Sequence, residues 1–289
     1  MRRIPESELI INPDGSVFHL HLLPEQMADK IVMMGDPGRV DMAASLFDEI
    51  YCTVQNREFR TVTGRCKGKR ITALSHGIGG DNIDIVMNEL DALANIDLES
   101  RTVKEKKKSL DIVRVGTSGS LQPDVPTGTY VISARSVGFD GVANFYAGRN
   151  AVCDTDFERA FTEHTGWSPL HAAPYAVSSD AALLRRINAG DMAEGVTISA
   201  NGFYGPQGRV LRLPLADPLL NAKIESFRYG NERILNYEME GAALAALAAM
   251  LGHRAVTVCN IIAGRRDGTA DTGYSDGMLP LLEKVMERI

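Results

Sequence analysis

Three times in its first 120 residues the chain runs from a short apolar stretch straight into a cluster of glycines, and this repeated punctuation narrows what it can fold into. Lys30 to Met34 meets Gly35-Asp36-Pro37-Gly38-Arg39, Ile71 to Ser75 meets Gly77-Ile78-Gly79-Gly80, and Asp111 to Val115 meets Gly116-Thr117-Ser118-Gly119. A brief apolar run that stops at turn-forming residues reads as a buried strand entering a tight loop. After the first cluster, Val40, Ala43, Ala44 and Phe47 recur at i, i+3, i+4 and i+7; after the second, Ile83, Val86, Met87 and Leu90 share one face. That is the spacing of a helix with one side buried. The third cluster leads instead into another strand, Thr129 to Ser133. Further on, Val196 to Ala200 and Ala255 to Ile262 are β-branched runs, the second preceded by an alanine-rich helix from Glu240 to Leu251. Asp217-Pro218 supplies an N-cap acid and a first-turn proline for one more helix, and a last helix runs from about Ser275 to the end. Alternating strands and helices define an α/β architecture.

Charge and cysteine content exclude several classes. The 289 residues carry a net charge of −6, which leaves no broad positive field for nucleic acid or an anionic membrane; any bound anion must be gripped by local groups. Cys52, Cys66, Cys153 and Cys259 lie far apart, without the short spacings of a zinc site or a redox pair, and read as reduced thiols of a cytoplasmic protein. The N-terminus lacks the apolar core of a secretory signal, and the longest apolar region, 242–264, is broken by Gly252, His253 and Arg254. No membrane span is expected. With neither a low-complexity linker nor a fixed-period repeat, one domain over 1–289 is expected, with an N-terminal arm to about residue 16. A polar insertion at about 99–109 contains Lys104-Glu105-Lys106-Lys107-Lys108 and reads as a solvated connection.

A glycine loop after a strand exposes backbone N–H groups that suit an anion, and Gly35 to Arg39 adds a guanidinium. Taken singly, such loops more often just turn the chain, and lone arginines more often form surface ion pairs. The order of motifs says more. Gly35-Asp36-Pro37-Gly38-Arg39, Asn56-Arg57-Glu58-Phe59, Gly77-Ile78-Gly79-Gly80, Val113-Arg114-Val115-Gly116-Thr117-Ser118-Gly119 and Asn236-Tyr237-Glu238-Met239-Glu240 follow one another in register. The chain resembles the nucleoside phosphorylase family, which includes purine nucleoside phosphorylases, uridine phosphorylases and related nucleosidases, over roughly residues 17 to 285.

This resemblance implies a three-layer α/β/α fold around a mixed, partly barrel-like sheet, and phosphorolysis of a nucleoside to free base and pentose 1-phosphate. It places phosphate on Gly35, Arg39, Arg57, Arg114 and Thr117, with Arg57 reaching a neighbouring subunit's site, so that a homodimer or hexamer is implied. A phosphate dianion needs several charge-assisted donors, and planar guanidiniums bind its oxygens in pairs. Ribose falls to Met239 and Glu240, whose carboxylate can accept from the 2′- and 3′-hydroxyls, and to His19 sent from an adjacent subunit to the 5′-hydroxyl. Glu240 also suits the first turn of the helix that follows, and Val17 to Leu22 alternates like an ordinary strand.

For the base, Gly202-Phe203-Tyr204-Gly205-Pro206-Gln207-Gly208-Arg209 resembles the uridine phosphorylase segment, with glycine and proline exchanged. Gln207 offers donor and acceptor, Arg209 donors only, so the two can read the uracil edge while Phe203 stacks on the ring. Without the resemblance, this stretch is a polar surface loop anchored by its aromatics. Arg265 matches a supporting arginine. Where purine-specific relatives carry an aspartate after the last strand, this chain has Asn260-Ile261-Ile262-Ala263-Gly264-Arg265 and no acid until Asp267. The implied substrate is uridine, with deoxyuridine second, and the implied catalytic groups are Arg209, Gln207 and Arg114. No cofactor is called for; some relatives hold potassium at the positions of Glu58 and Ile78, although Asn82 replaces their serine. His76, His164, His171 and His253 read as structural. The rivals are a purine phosphorylase, a water-using nucleosidase, and a nucleoside binder without turnover.

Overall fold

The computed structural model describes residues 2–266 and 268–289. Strand β1 (Lys30–Met34) leads through the first glycine loop into α1 (Pro37–Ala44), where Asp36 caps the helix by accepting from Gly38 N at 2.8 Å. A meander follows: β2 (Glu49–Asn56), β3 (Phe59–Cys66) and β4 (Lys69–Ser75), antiparallel in sequence. Then come α2 (Gly80–Asn95), the short hairpin β5 (Ile96–Asp97) and β6 (Thr102–Val103), and the long strands β7 (Asp111–Ser120) and β8 (Tyr130–Gly138). The second half runs α3 (Thr155–Thr165), β9 (Tyr175–Ser178), α4 (Ala181–Ile187), β10 (Ala193–Ser199), α5 (Leu220–Ser226), β11 (Arg228–Tyr229), β12 (Glu232–Glu238), α6 (Gly241–Leu251), β13 (Arg254–Gly264), β14 (Thr269–Ala270) and α7 (Ser275–Arg288).

The α/β expectation holds, and the barrel-like part is explicit. Strands β7, β13, β8, β10 and β12 pair in that order and β12 pairs back to β7, closing a five-stranded mixed ring from which β1, β4, β3 and β2 extend as an open wing. Alternation along β1 shows the layers: Val32 and Met34 pack with α1, α4 and α7, whereas Ile31 and Met33 pack with α2 and α6 on the other face. Helix α6 buries nearly all its alanine-rich surface, because small side chains let it sit close to the sheet. Among the described residues no helix is long and apolar enough to cross a membrane.

The structure corrects several local expectations. Val17 to Leu22 is a tight turn, with His21 N bonded to Val17 O at 3.0 Å and His21 at φ 56°, so its alternation does not mark a strand. Helix α5 is assigned from Leu220, three residues after Asp217, whose side chain accepts from Leu219 N at 2.9 Å and from Lys223 within the helix, as an N-cap acid does. The 99–109 stretch is more than a solvated connection: β6 pairs with β5, and buried Arg101 donates from Nε to Ile4 O at 3.1 Å, tying the N-terminal arm down. Periodicity missed β2, β3, β12, α3 and α4.

Candidate active site

Strands β4, β1, β7 and β13 are mutually parallel, so their C-terminal ends share one edge, the usual location for ligands in α/β sheets. A cavity of about 1410 Å³ opens there. Its wall contains Gly35 and Arg39 after β1, Arg114 and Thr117 on β7, Met239 and Glu240 after β12, and Arg265 after β13. Phe203, Gln207 and Arg209 close the far end, and Glu58 and Ile78 stand at the side. Twelve of the fourteen residues singled out from sequence therefore meet in one space, the exceptions being His19 and Arg57.

At one end lies an arginine in need of an anion. Arg39 folds back over Gly35, where a Cβ would lie 3.7 Å from Arg39 Nη2, and its Nε and Nη1 are buried without a hydrogen-bond partner among the described residues. Burial, and then the charge of Arg114, pull its guanidinium below the ordinary range. A buried cation with idle donors is costly unless a ligand meets it.

Arg114 is held quite differently. Its Nη1 lies 2.9 Å from Glu238 Oε2, its Nη2 donates to Glu240 Oε2, and its Nε donates to His76 Nε2 at 3.2 Å. Burial works against its charge, but Glu240 and Glu238 outweigh that and raise its pKa. Gly116 makes room, since a Cβ there would come within 2.6 Å of Arg114 Nη1. The carboxylates are anchored in turn. Glu238 accepts from Glu240 N at 2.8 Å and from Gly241 N at 2.9 Å, capping α6, and Glu240 Oε1 accepts from Gly79 N at 2.7 Å at the start of α2. Burial raises the Glu240 carboxyl against the opposing pull of Arg114. Each Glu240 oxygen keeps a lone pair for a hydroxyl donor.

The far end is a second cationic cluster. Gly205-Pro206-Gln207 forms a single 3-10 turn, with Pro206 against Gly202 and Gly208 at φ 69°, which accommodates the exchanged Gly-Pro order. Arg209 Nη1 donates to Gln207 Oε1 at 2.6 Å and to Phe203 O at 2.5 Å, and its Cζ lies 3.7 Å from the Phe203 ring centre. One face of Phe203, expected to stack on a base, is thus covered by a guanidinium. Arg265 passes over Gly119 and donates from Nη2 to Gln207 O at 2.8 Å, leaving Nη1 buried and unpartnered among the described residues. Burial, then Arg265, bring Arg209 down to about 10.

His19 and Arg57 occupy a different surface. The Arg57 guanidinium lies 5.7 Å from the Phe18 ring, and Asn56 Nδ2 donates to His19 O at 2.7 Å. The Glu58 carboxylate accepts from Asn82 at 3.2 Å, and among the described residues no three His, Cys, Asp or Glu side chains converge as for a metal ion. Sequence reading took His76 as structural and gave Glu238 and Tyr237, quoted only as part of a motif, no role. His76 is fully buried, and burial followed by Arg114 and Arg39 drives its pKa well below 6.5, so it stays neutral and accepts from Arg114. Its position just before the second glycine cluster was the available signal. Asp267 lies outside the described residues, while Asp271 lines the cavity.

These features, a closed mixed ring with an anion-seeking pocket at its strand ends, define the class: residues 29–288 match the phosphorylase superfamily, and the chain belongs to it. It is 29% identical to a uridine phosphorylase of Thermococcus kodakarensis, over 87% of this chain and 79% of that one, and 28% identical to the uridine phosphorylase of Escherichia coli, over 87% of each. A guanosine phosphorylase of Halorubrum lacusprofundi is 27% identical over 93% of this chain and 92% of its own. Among solved structures, a Trypanosoma brucei nucleoside phosphorylase described as showing uridine phosphorylase activity superposes with a TM-score of 0.87 at 27% identity, covering 97% of this chain and all of its own.

Proposed function

We propose that this enzyme phosphorolyses the N-glycosidic bond of uridine, and of deoxyuridine as a second substrate, in pyrimidine salvage in the cytoplasm. The observation that carries the reading is the pairing, in one cavity, of the idle Arg39 guanidinium with the Gln207, Arg209 and Arg265 cluster at the opposite end. Phosphate sits between Gly35, Arg39 and Thr117, with Arg114 behind it. Met239 and Glu240 take the ribose, and Gln207 and Arg209 take the pyrimidine edge, with Arg209 moving off Phe203 or the base using the other ring face. As the C1′–N1 bond lengthens, positive charge grows on the sugar beside the phosphate and negative charge on the leaving uracil beside the two arginines. A phosphate oxygen bonds to C1′, and the glycosidic electron pair leaves with N1. Placement and preorganised charge supply the rate. No protein nucleophile and no cofactor takes part, and a cation at Glu58 and Ile78 would be structural.

The cavity exceeds the roughly 300–1,000 Å³ of typical small-ligand sites, which leaves room for a wall from a second copy. Arg57 and His19, side by side on another face, are the groups a homodimer or hexamer would bring into it. A purine reading has its own support in Asp271 on the cavity wall and in the guanosine phosphorylase relative. Incubating uridine, deoxyuridine, thymidine and inosine with and without phosphate, and following free base and pentose 1-phosphate, decides between them. Phosphate-dependent release of uracil is expected. Release without phosphate, or from inosine alone, overturns the reading.

A further inference from the structure

Helix α2 buries one face made of Ile83, Val86, Met87, Leu90 and Leu93, yet Glu89 is also buried there, only 8% exposed. A carboxylate in such surroundings persists only when its oxygens are met by donors. They are met by the turn that carries His19. Glu89 Oε1 accepts from His19 N at 2.9 Å, Oε2 accepts from Leu20 N at 2.8 Å, and Oε1 lies 2.6 Å from His19 Nδ1. The last contact is more than turn capping, because it fixes the ring. A carboxylate only accepts, so Nδ1 carries the proton, and in the neutral ring Nε2, which makes no hydrogen bond among the described residues, keeps its lone pair. The same helix begins where Gly79 N holds Glu240, so one rigid rod links this chain's own ribose carboxylate to the imidazole it offers elsewhere.

We infer that Glu89 is a positioning residue for the reaction. It locks His19 in the Nδ1-protonated tautomer, so that Nε2 accepts a hydrogen bond from the 5′-hydroxyl of a nucleoside bound in a neighbouring copy. This rests on the proposed reading of His19 as a ribose contact. Glu89→Gln keeps the size and can still accept from the two backbone N–H groups. Its amide can donate to Nδ1, which moves the imidazole proton to Nε2 and turns the acceptor into a donor.

The test compares uridine with 5′-deoxyuridine, which lacks the hydroxyl in question, in the full-length wild type, Glu89→Gln and His19→Ala. For uridine, kcat/KM is expected to fall about tenfold or more in both variants; for 5′-deoxyuridine it changes less than about twofold. A structural role would depress both substrates alike. If His19→Ala discriminates between the substrates and Glu89→Gln does not, the Glu89 inference is overturned while the His19 reading stands. If His19→Ala fails to discriminate, the ribose role of His19 falls and takes the inference with it. Because Glu89→Gln could fold poorly, nitrogen-15 spectra of histidine-labelled wild type provide an independent check. A neutral His19 protonated at Nδ1 alone is expected, and a signal showing Nε2 protonated, alone or together with Nδ1, overturns the inference.

Discussion

Arg114 Nη1 and Glu238 Oε2 meet at 2.9 Å with their side chains 4% and 1% exposed, and the same carboxylate closes the N-terminus of α6. One residue thus holds together the cationic heart of the site and the helix behind it. Deleting the Glu238 carboxylate leaves Arg114 with Glu240 alone and strands the Ser199 hydroxyl and the Glu240 and Gly241 N–H groups, a loss of about 3–5 kcal/mol for such a buried network. Glu238→Ala is therefore expected to lose that much stability in urea denaturation, with part recovered by Glu238→Gln, whose amide oxygen still accepts from Gly241 N. A loss under about 1 kcal/mol for the alanine variant would show that the pair is replaced by water.

Arg39 presents the opposite case, a buried guanidinium whose Nε and Nη1 donors have no partner among the described residues. An unsatisfied buried polar group costs about 1–3 kcal/mol. Arg39→Met should leave the anion-free protein at least as stable as wild type while removing its response to inorganic phosphate. At a phosphate concentration of 100 Kd the wild type should gain about 2.7 kcal/mol and the variant nothing. Thermal melts across a phosphate series provide the measurement, and an equal rise in both proteins would exclude Arg39 from the anion site.

Arg209 binds the base loop together through Gln207 Oε1 and Phe203 O. Removing one preorganised donor aimed at developing charge typically lowers turnover by about 10² to 10³. Arg209→Ala is expected to do so for uridine with the circular dichroism spectrum unchanged. Arg209→Lys should recover little, because an ammonium lacks the fork that reaches two acceptors at once. Near-normal kcat in the alanine variant would remove Arg209 from the chemistry.

What could be read before folding followed from local chemistry. Glycine clusters after Met34 and Ser75 marked strand ends because a tight turn leaves a compositional trace, whereas Gly116 to Gly119, expected to be a loop, lie inside β7, where Gly116 makes room for the Arg114 side chain and Gly119 for Arg265. Strands β2 and β3 left none: their alternation is diluted by Thr, Gln and Arg that face outward or pair across the wing, so only the hairpin residues Asn56 to Phe59 stood out. The partners of Arg114 were equally hidden. His76 and Glu238 lie 38 and 124 positions from it in the chain, and nothing in their neighbours announces that β4, β7 and the β12 strand antiparallel to β7 bring these three side chains together. Resemblance supplied the residue set, and geometry then separated Arg39, which is free to bind, from Arg114, which is already committed to two carboxylates.

His76 gives the pH prediction. In the unfolded chain its imidazole takes a proton near pH 6.5, whereas in the folded protein burial, then Arg114 and Arg39, hold its pKa well below that value. Below pH 6.5 the unfolded state therefore binds a proton that the folded state refuses, and stability falls as pH falls. The contribution is complete above about pH 6.5 and declines toward the lower folded value, with a slope approaching about 1.4 kcal/mol per pH unit. His76→Asn can still accept from Arg114 Nε but does not titrate. The stability difference between wild type and His76→Asn should therefore shrink, then reverse, between pH 7.5 and 5, while surface pairs common to both, such as Asp191 with Arg288, cancel. A difference that stays flat across that range would mean that His76 protonates in place, and that Arg114 Nε is not held by a neutral imidazole.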